Sequence, residues 1–328
     1  MEFLIFQLAG FLASALAAFY SAKHSEQSIL PEIIEKDYFI TLMLQDIAQK
    51  QTEYDVFFKG GTALYKALKR VNRFSEDIDL TFDNSKFATR SSKKTALKRV
   101  TSSYECLQLN KSDPGNISAS GSRTSVYNYP TLFVVGRLQN DPLERIGKLK
   151  IETTTFTQSS PIISRDIEPL LYTYANDTFQ KILDENYYVR PFPIKCITLE
   201  RIFIDKLYAI EDYYLGTQAN RHVEMAKHMY DVYQLFNLKE IKTLFKSNEA
   251  IFKLIQIKEQ EQNNRNEAKT VGKSIHQFEY FNCLNDLNQF NNFETMQNIY
   301  VFRNEDKVEY TIVAEVFATI KALLLKML

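Results

Sequence analysis

Residues 59–82 read Lys59-Gly60-Gly61-Thr62-Ala63-Leu64-Tyr65-Lys66-Ala67-Leu68-Lys69-Arg70-Val71-Asn72-Arg73-Phe74-Ser75-Glu76-Asp77-Ile78-Asp79-Leu80-Thr81-Phe82, and the fold follows from this stretch. Val56 to Phe58, just ahead of it, form a short apolar run that predicts a strand ending at the Gly60-Gly61 turn. Thr62 is placed to cap a helix with Ala63, Leu64, Ala67 and Leu68 on one side. Further on, Ile78, Leu80 and Phe82 alternate with Asp77, Asp79 and Thr81, as a half-buried strand demands. The two aspartates therefore share a face.

Aspartates two apart on one strand have Cα atoms about 6.5 Å apart. That is close enough for their carboxylates to share one hard cation, or to bracket two ions about 3.5–4 Å apart. Glu152, on the polar face of a second strand, is the candidate third carboxylate. A lone Asp-x-Asp is more often the wet side of an edge strand. Here it follows a Gly-Gly turn into a helix whose free N–H groups can bind phosphate, and Ser75 stands two residues before Asp77. The joint spacing points to magnesium-dependent phosphate chemistry, with Asp77, Asp79 and Glu152 as metal ligands.

Outward from this core, residues 31–50 start with a proline suited to a first helical turn and predict a largely buried helix. Residues 84–125, rich in serine, lysine, asparagine and glycine, predict a helix and then a mobile loop with a turn at Asp113-Pro114-Gly115-Asn116. Tyr127–Val135 and Lys148–Phe156 predict strands, the second with Lys148, Lys150, Glu152 and Thr154 facing away from Leu149, Ile151 and Thr153. After Pro191-Phe192-Pro193 the pattern turns helical, with Leu199, Phe203, Leu207 and Ile210 in step, then Met225, Met229, Val232, Leu235 and Phe236. The expected class is α+β: a mixed β-sheet flanked by helices over residues 1–195, then a helical domain over 196–328.

Forty basic residues balance forty acidic ones, so no global basic field marks an indiscriminate nucleic-acid binder. Any RNA contact has to be local, and the densest basic stretch is Lys86–Arg99, with Arg90, Lys93, Lys94 and Lys98. Cys106, Cys196 and Cys283 are odd in number and lack metal-ligand spacing, which fits a reducing, cytoplasmic setting. Residues 1–20 are apolar enough for a signal or anchor, but their only charge is Glu2, and a buried core helix is the expectation, with no membrane partner.

Residues 59–83 resemble the opening motif of the AbiEii-type nucleotidyltransferase toxins, a branch of the DNA polymerase β-like superfamily. Ile33–Phe39 resembles the helix before that motif, Lys150-Ile151-Glu152 the third-carboxylate strand, Glu200–Leu207 the lysine-bearing helix, and Ala226–Tyr233 the closing motif. The resemblance implies a toxin encoded with an antitoxin, with a part in phage defence. Its activity would be to transfer NMP from an NTP, with Mg2+ or Mn2+, onto an acceptor such as tRNA. It carries nucleotide-binding roles onto Gly60, Gly61, Thr62 and Ser75, a triphosphate contact onto Lys206, and a catalytic acid onto Asp231. Many members have Arg/Lys-Asp where this chain has Lys227-His228. The competing readings are a non-catalytic nucleotide- or RNA-binding module, and, for the Lys227/Asp231 and Arg201/Asp205 pairs, ordinary surface salt bridges at helical spacing.

Overall fold

The structure is a computed structural model that describes residues 29–70, 72–131, 146–187, 190–216, 221–265, 268–301 and 303–327. The predicted first helix, residues 1–20, lies outside them. The chain divides into two compact units: residues 1–68, 74–155 and 162–196 form one, and residues 69–73, 156–161 and 197–328 the other.

The first unit is built on a mixed sheet. Its strands are β1 (Val56–Lys59), β2 (Ile78–Phe82), β3 (Gln108–Leu109), β4 (Ile117–Ala119), β5 (Ser122–Asn128), β6 (Lys148–Thr154), β7 (Ile162–Ile167) and β8 (Phe192–Ile197). Among the described residues their order is β3-β5-β6-β2-β1-β8-β7, with β4 paired to β5. Strand β2 runs antiparallel to β1 and parallel to β6, so it is an interior strand. This overturns the edge-strand alternative for Asp77 and Asp79. It also explains why Thr81, expected on the wet face, is fully buried: it is flanked by Phe57 on one side and Thr154 on the other.

Helix α1 (Pro31–Lys50) is buried along most of its length, as its sequence predicts. It holds three charged residues inside the unit, and each is satisfied. Lys36 donates to Glu76 at 2.6 Å, Asp37 accepts from Lys66 at 2.6 Å and from the Leu170 backbone N–H at 2.6 Å, and Glu35 accepts from Thr131 at 2.6 Å. A buried charge is tolerable only when so partnered. Two of these partners, Glu76 and Lys66, belong to the stretch between the glycine turn and Asp77, so α1 fixes that stretch in place.

Helix α2 (Gly60–Lys66) begins three residues earlier than predicted. Lys59 is its N-cap residue and Thr62 lies inside it, because the positive φ of 78° at Gly60 lets the chain turn directly from strand into helix. Helix α3 (Arg90–Ser102) starts with a capping box between Thr89 and Ser92. The expected loop after it contains β3, β4 and the start of β5, and the end of the predicted strand at 132–135 lies outside the described residues. Short helices α4 (Leu170–Thr173) and α5 (Asp177–Tyr187) follow β7. Strand β8 then replaces the helical start expected after Pro193: it buries Ile194 and Cys196, and Cys196 stands opposite Phe58 of β1.

The second unit is helical, as expected: α6 (Leu199–Tyr214), α7 (Arg221–Phe236), α8 (Lys239–Leu244), α9 (Asn248–Asn263), α10 (Leu287–Tyr300) and α11 (Tyr310–Leu325). The predicted stripes of α6 and α7 are its core, with Phe203, Leu207, Ile210, Met225, Met229, Val232 and Leu235 buried; Phe236 is half-exposed. Among the described residues no helix is long and apolar enough to cross a membrane.

Candidate active site

Strand register brings the predicted residues of the first unit together. Lys59 of β1, Asp79 of β2, Glu152 of β6 and Thr124 of β5 are successive cross-strand partners, so they form one row across four strands on one face. Asp77 precedes β2 on the same side. Lys150 shares the face of Glu152 and extends its ammonium to 3.6 Å from Asp77 Oδ2 and 3.5 Å from Glu152 Oε2. Side-chain exposures of 29% for Asp77 and 41% for Glu152 leave both carboxylates open to solvent.

Three carboxylates in one place repel. Burial first, then the charges of Glu152 and Asp77, push the Asp79 carboxyl from 3.8 up to about 7, against the opposing pull of Lys59 and Lys150. Lys59 is itself held by Thr154, to which its ammonium donates at 3.1 Å. Among the described residues no three His, Cys, Asp or Glu side chains converge as a ready-made metal cage. Lys150 stands between two of the carboxylates instead. The donor set itself suits a hard divalent cation: oxygen ligands only, partly open, with repulsion at Asp79 that the two lysines offset only in part.

The glycine turn is shaped to this cluster. A Cβ on Gly60 would lie 2.2 Å from Asp79 Oδ2, and the φ of 78° is itself strained for any side chain. Gly60→Ala is therefore expected to destabilise the fold by about 1–3 kcal/mol. Displacing Asp79 should also cut transfer by about a hundredfold or more. A circular-dichroism melt and a labelling assay check the two, and near-wild-type values in both would refute this account of the turn.

Thr62 and Ser75, predicted to bind nucleotide, are joined to each other and to the aspartate segment. Thr62 is fully buried, its Oγ1 lies 3.0 Å from Ser75 Oγ, and it donates to the backbone carbonyl of Asp77. Together they tie the glycine-turn helix to the aspartate segment.

The second unit holds the other predicted residues in a separate buried cluster. Asp231 accepts two bonds of 2.7 Å from the Arg73 guanidinium and one ion pair of 2.9 Å from Lys206. Burial alone would raise its pKa, but Arg73 and Lys206 outweigh that and bring it down to about 2. Lys206 also bonds His228 Nδ1 at 2.9 Å. Burial, reinforced by that ammonium, holds the imidazole well below its usual range, so His228 is neutral and accepts. Arg201 and Asp205 do pair at helical spacing, but not on the surface: Arg201 is buried and bonds Glu261 as well. Lys227 pairs with Glu224 at 2.7 Å and lies over the Tyr300 ring. Arg73, Lys59 and Lys150 were missed as site residues; a basic residue within one strand of the carboxylates was the available signal for the last two.

A sequence pattern described as nucleotidyl transferase AbiEii toxin of a type IV toxin–antitoxin system matches residues 42–283, well over half of the chain. The chain belongs to this family. An AbiEii toxin is a nucleotidyltransferase, so the acidic row on β2 and β6 lies in an enzyme, and membership implies a cognate antitoxin. No curated protein matches the chain. The AbiEii match includes both carboxylate strands, the glycine turn, and the helices of Lys206 and Asp231, but stops short of α10 and α11.

Proposed function

We propose that this AbiEii enzyme transfers NMP from an NTP to an RNA acceptor, tRNA among the candidates, with Mg2+ or Mn2+ held by Asp77, Asp79 and Glu152. The observation that carries the reading is the in-register Asp79–Glu152 pair with Asp77 beside it, where burial and then the two neighbouring carboxylates push the Asp79 carboxyl up to about 7. In the transfer, the acceptor hydroxyl oxygen bonds to the α-phosphorus and gives up its proton to solvent, while the bond to pyrophosphate breaks and pyrophosphate leaves. A bound cation would offset charge on the phosphate oxygens. Gly60 lets backbone, not side chain, border Asp79, and Lys150 is the cation that a bound ion would displace from Asp77 and Glu152. For Lys206 the resemblance implies a triphosphate contact, to be read as a raised KM for NTP in Lys206→Ala with the fold retained.

The test of transfer is incubation of the purified protein with each α-labelled NTP, Mg2+ and total RNA. A labelled RNA species is expected, and none with any NTP refutes the reading. A second test does not depend on activity. Asp79 binds its proton more tightly folded than unfolded, so without a cation its contribution to stability is complete below pH 3.8 and is lost as pH rises through about 7. Mg2+ is therefore expected to raise Tm more above pH 7 than below pH 6, and Asp79→Asn to raise the metal-free Tm above pH 7 while removing most of the Mg2+ increment. If Lys150 instead serves as a permanent counter-charge, in a module that binds nucleotide without chemistry, Mg2+ leaves Tm unchanged at every pH.

A further inference from the structure

The sheet has a second face. Arg123, Ser125 and Tyr127 of β5 point away from the row that contains Thr124 and Glu152, and each bonds to α3: Arg123 Nε to Ser102 Oγ at 2.9 Å, Ser125 Oγ with Ser102 Oγ at 2.9 Å, Tyr127 Oη to the Thr101 carbonyl at 3.2 Å. Helix α3 thus packs on the face opposite the carboxylates. Where its first turns meet the β4–β5 turn and Thr155, there is a cavity of about 430 Å³. Among the described residues four cationic side chains line it, Arg90, Lys93, Lys94 and Arg123, and no acidic one does.

Stability does not account for this placement. Arg90, Lys93 and Lys94 occupy the opening turns of α3, the positive end of the helix dipole, where cations are unfavourable, and no acidic residue offsets them in the first turn. Arg90 repels both lysines at helical spacing, and among the described residues none of the three has an ion pair or side-chain hydrogen-bond partner. The basic residues on either side do find partners: Lys86 pairs with Asp55 at 2.5 Å, and Arg99 donates to Tyr54 Oη at 3.3 Å. Lys98 is exposed and does not line the cavity.

We propose that this cavity is an exosite for the phosphodiester backbone of the nucleic-acid acceptor, a reading that rests on the acceptor being RNA. The lining supplies charge and hydroxyls, from Ser118, Ser120 and Thr155, which suit phosphate oxygens. Among the described residues its lining contains no aromatic ring on which a base could stack, so it grips backbone without reading sequence. Its position on the sheet face opposite Asp79 separates it from the triphosphate at the carboxylates. It holds the body of the acceptor, not its reacting end.

The experiment uses the full chain and fluorescein-labelled tRNA, with binding read by anisotropy without NTP across about 50–200 mM salt. Neutralising Arg90, Lys93 and Lys94 together to alanine is expected to weaken RNA binding about tenfold or more at the low end and to reduce the salt slope by about 2, at roughly 0.7–0.9 per phosphate contact. The charge-keeping set Arg90→Lys, Lys93→Arg and Lys94→Arg is expected to retain both. Wild-type affinity and slope in the alanine variant would overturn the exosite, as would loss of a polyglutamate peptide with RNA binding intact, which would mark a site for an acidic protein. NTP labelling is measured in parallel. Wild-type protein that binds RNA but labels none defeats the transfer reading alone; labelling by wild type with unchanged binding in the alanine variant defeats the exosite alone.

Discussion

Replacing Asp79 by alanine is expected to abolish nucleotidyl transfer, by at least about a thousandfold or roughly 4 kcal/mol of transition-state stabilisation, while the folded structure persists. Its side chain interacts through charge with Glu152, Asp77, Lys59 and Lys150. Removing it relieves repulsion and opens no large cavity, so the metal-free variant should melt no lower than wild type near neutral pH. The outcome is read in one labelling assay and one thermal melt. Activity within tenfold of wild type would refute the carboxylate site, and collapse of the melt would mean Asp79 is structural. Asp77→Ala and Glu152→Ala should follow the same pattern.

The second large effect is on stability. Asp231→Asn is expected to cost about 3–5 kcal/mol, because Arg73 and Lys206 would remain buried without their shared counter-charge. The pH dependence has a definite sign. Asp231 holds its proton more weakly folded than unfolded, so its contribution is full above pH 3.8 and is lost as pH falls through about 2. Urea titrations at neutral pH and in that acid window test both statements. Wild-type stability of the asparagine variant at neutral pH would show that the pair merely offsets its own desolvation.

Local patterns carried much of this fold. The alternation of Ile78, Leu80 and Phe82 located β2, and the opposite faces of Lys150/Glu152 and Leu149/Ile151 located β6, since burial on one side leaves a period of two in the sequence. What escaped was set by tertiary context. Strand β8 was concealed by Pro193, and its place beside β1 is a long-range pairing that no local window contains. Thr62 looked like a helix cap because Gly60 was read as part of the turn, whereas its positive φ starts the helix at once. The register that sets Lys59, Asp79 and Glu152 side by side was likewise invisible, as was the bidentate bond from Arg73 to Asp231 across 158 residues of chain.

Asp79 and Glu152 face each other across two parallel strands, yet 73 residues separate them along the chain. Pairing of that kind forms late, because the intervening loop has to close before any contact rewards it. At about 5–20 residues per second, a ribosome delivers the second carboxylate on the order of 4 to 15 seconds after the first. On the proposed carboxylate site the nascent polypeptide is until then without chemistry, and a newly made chain cut short before β6 is expected to be inactive however well its glycine turn has folded.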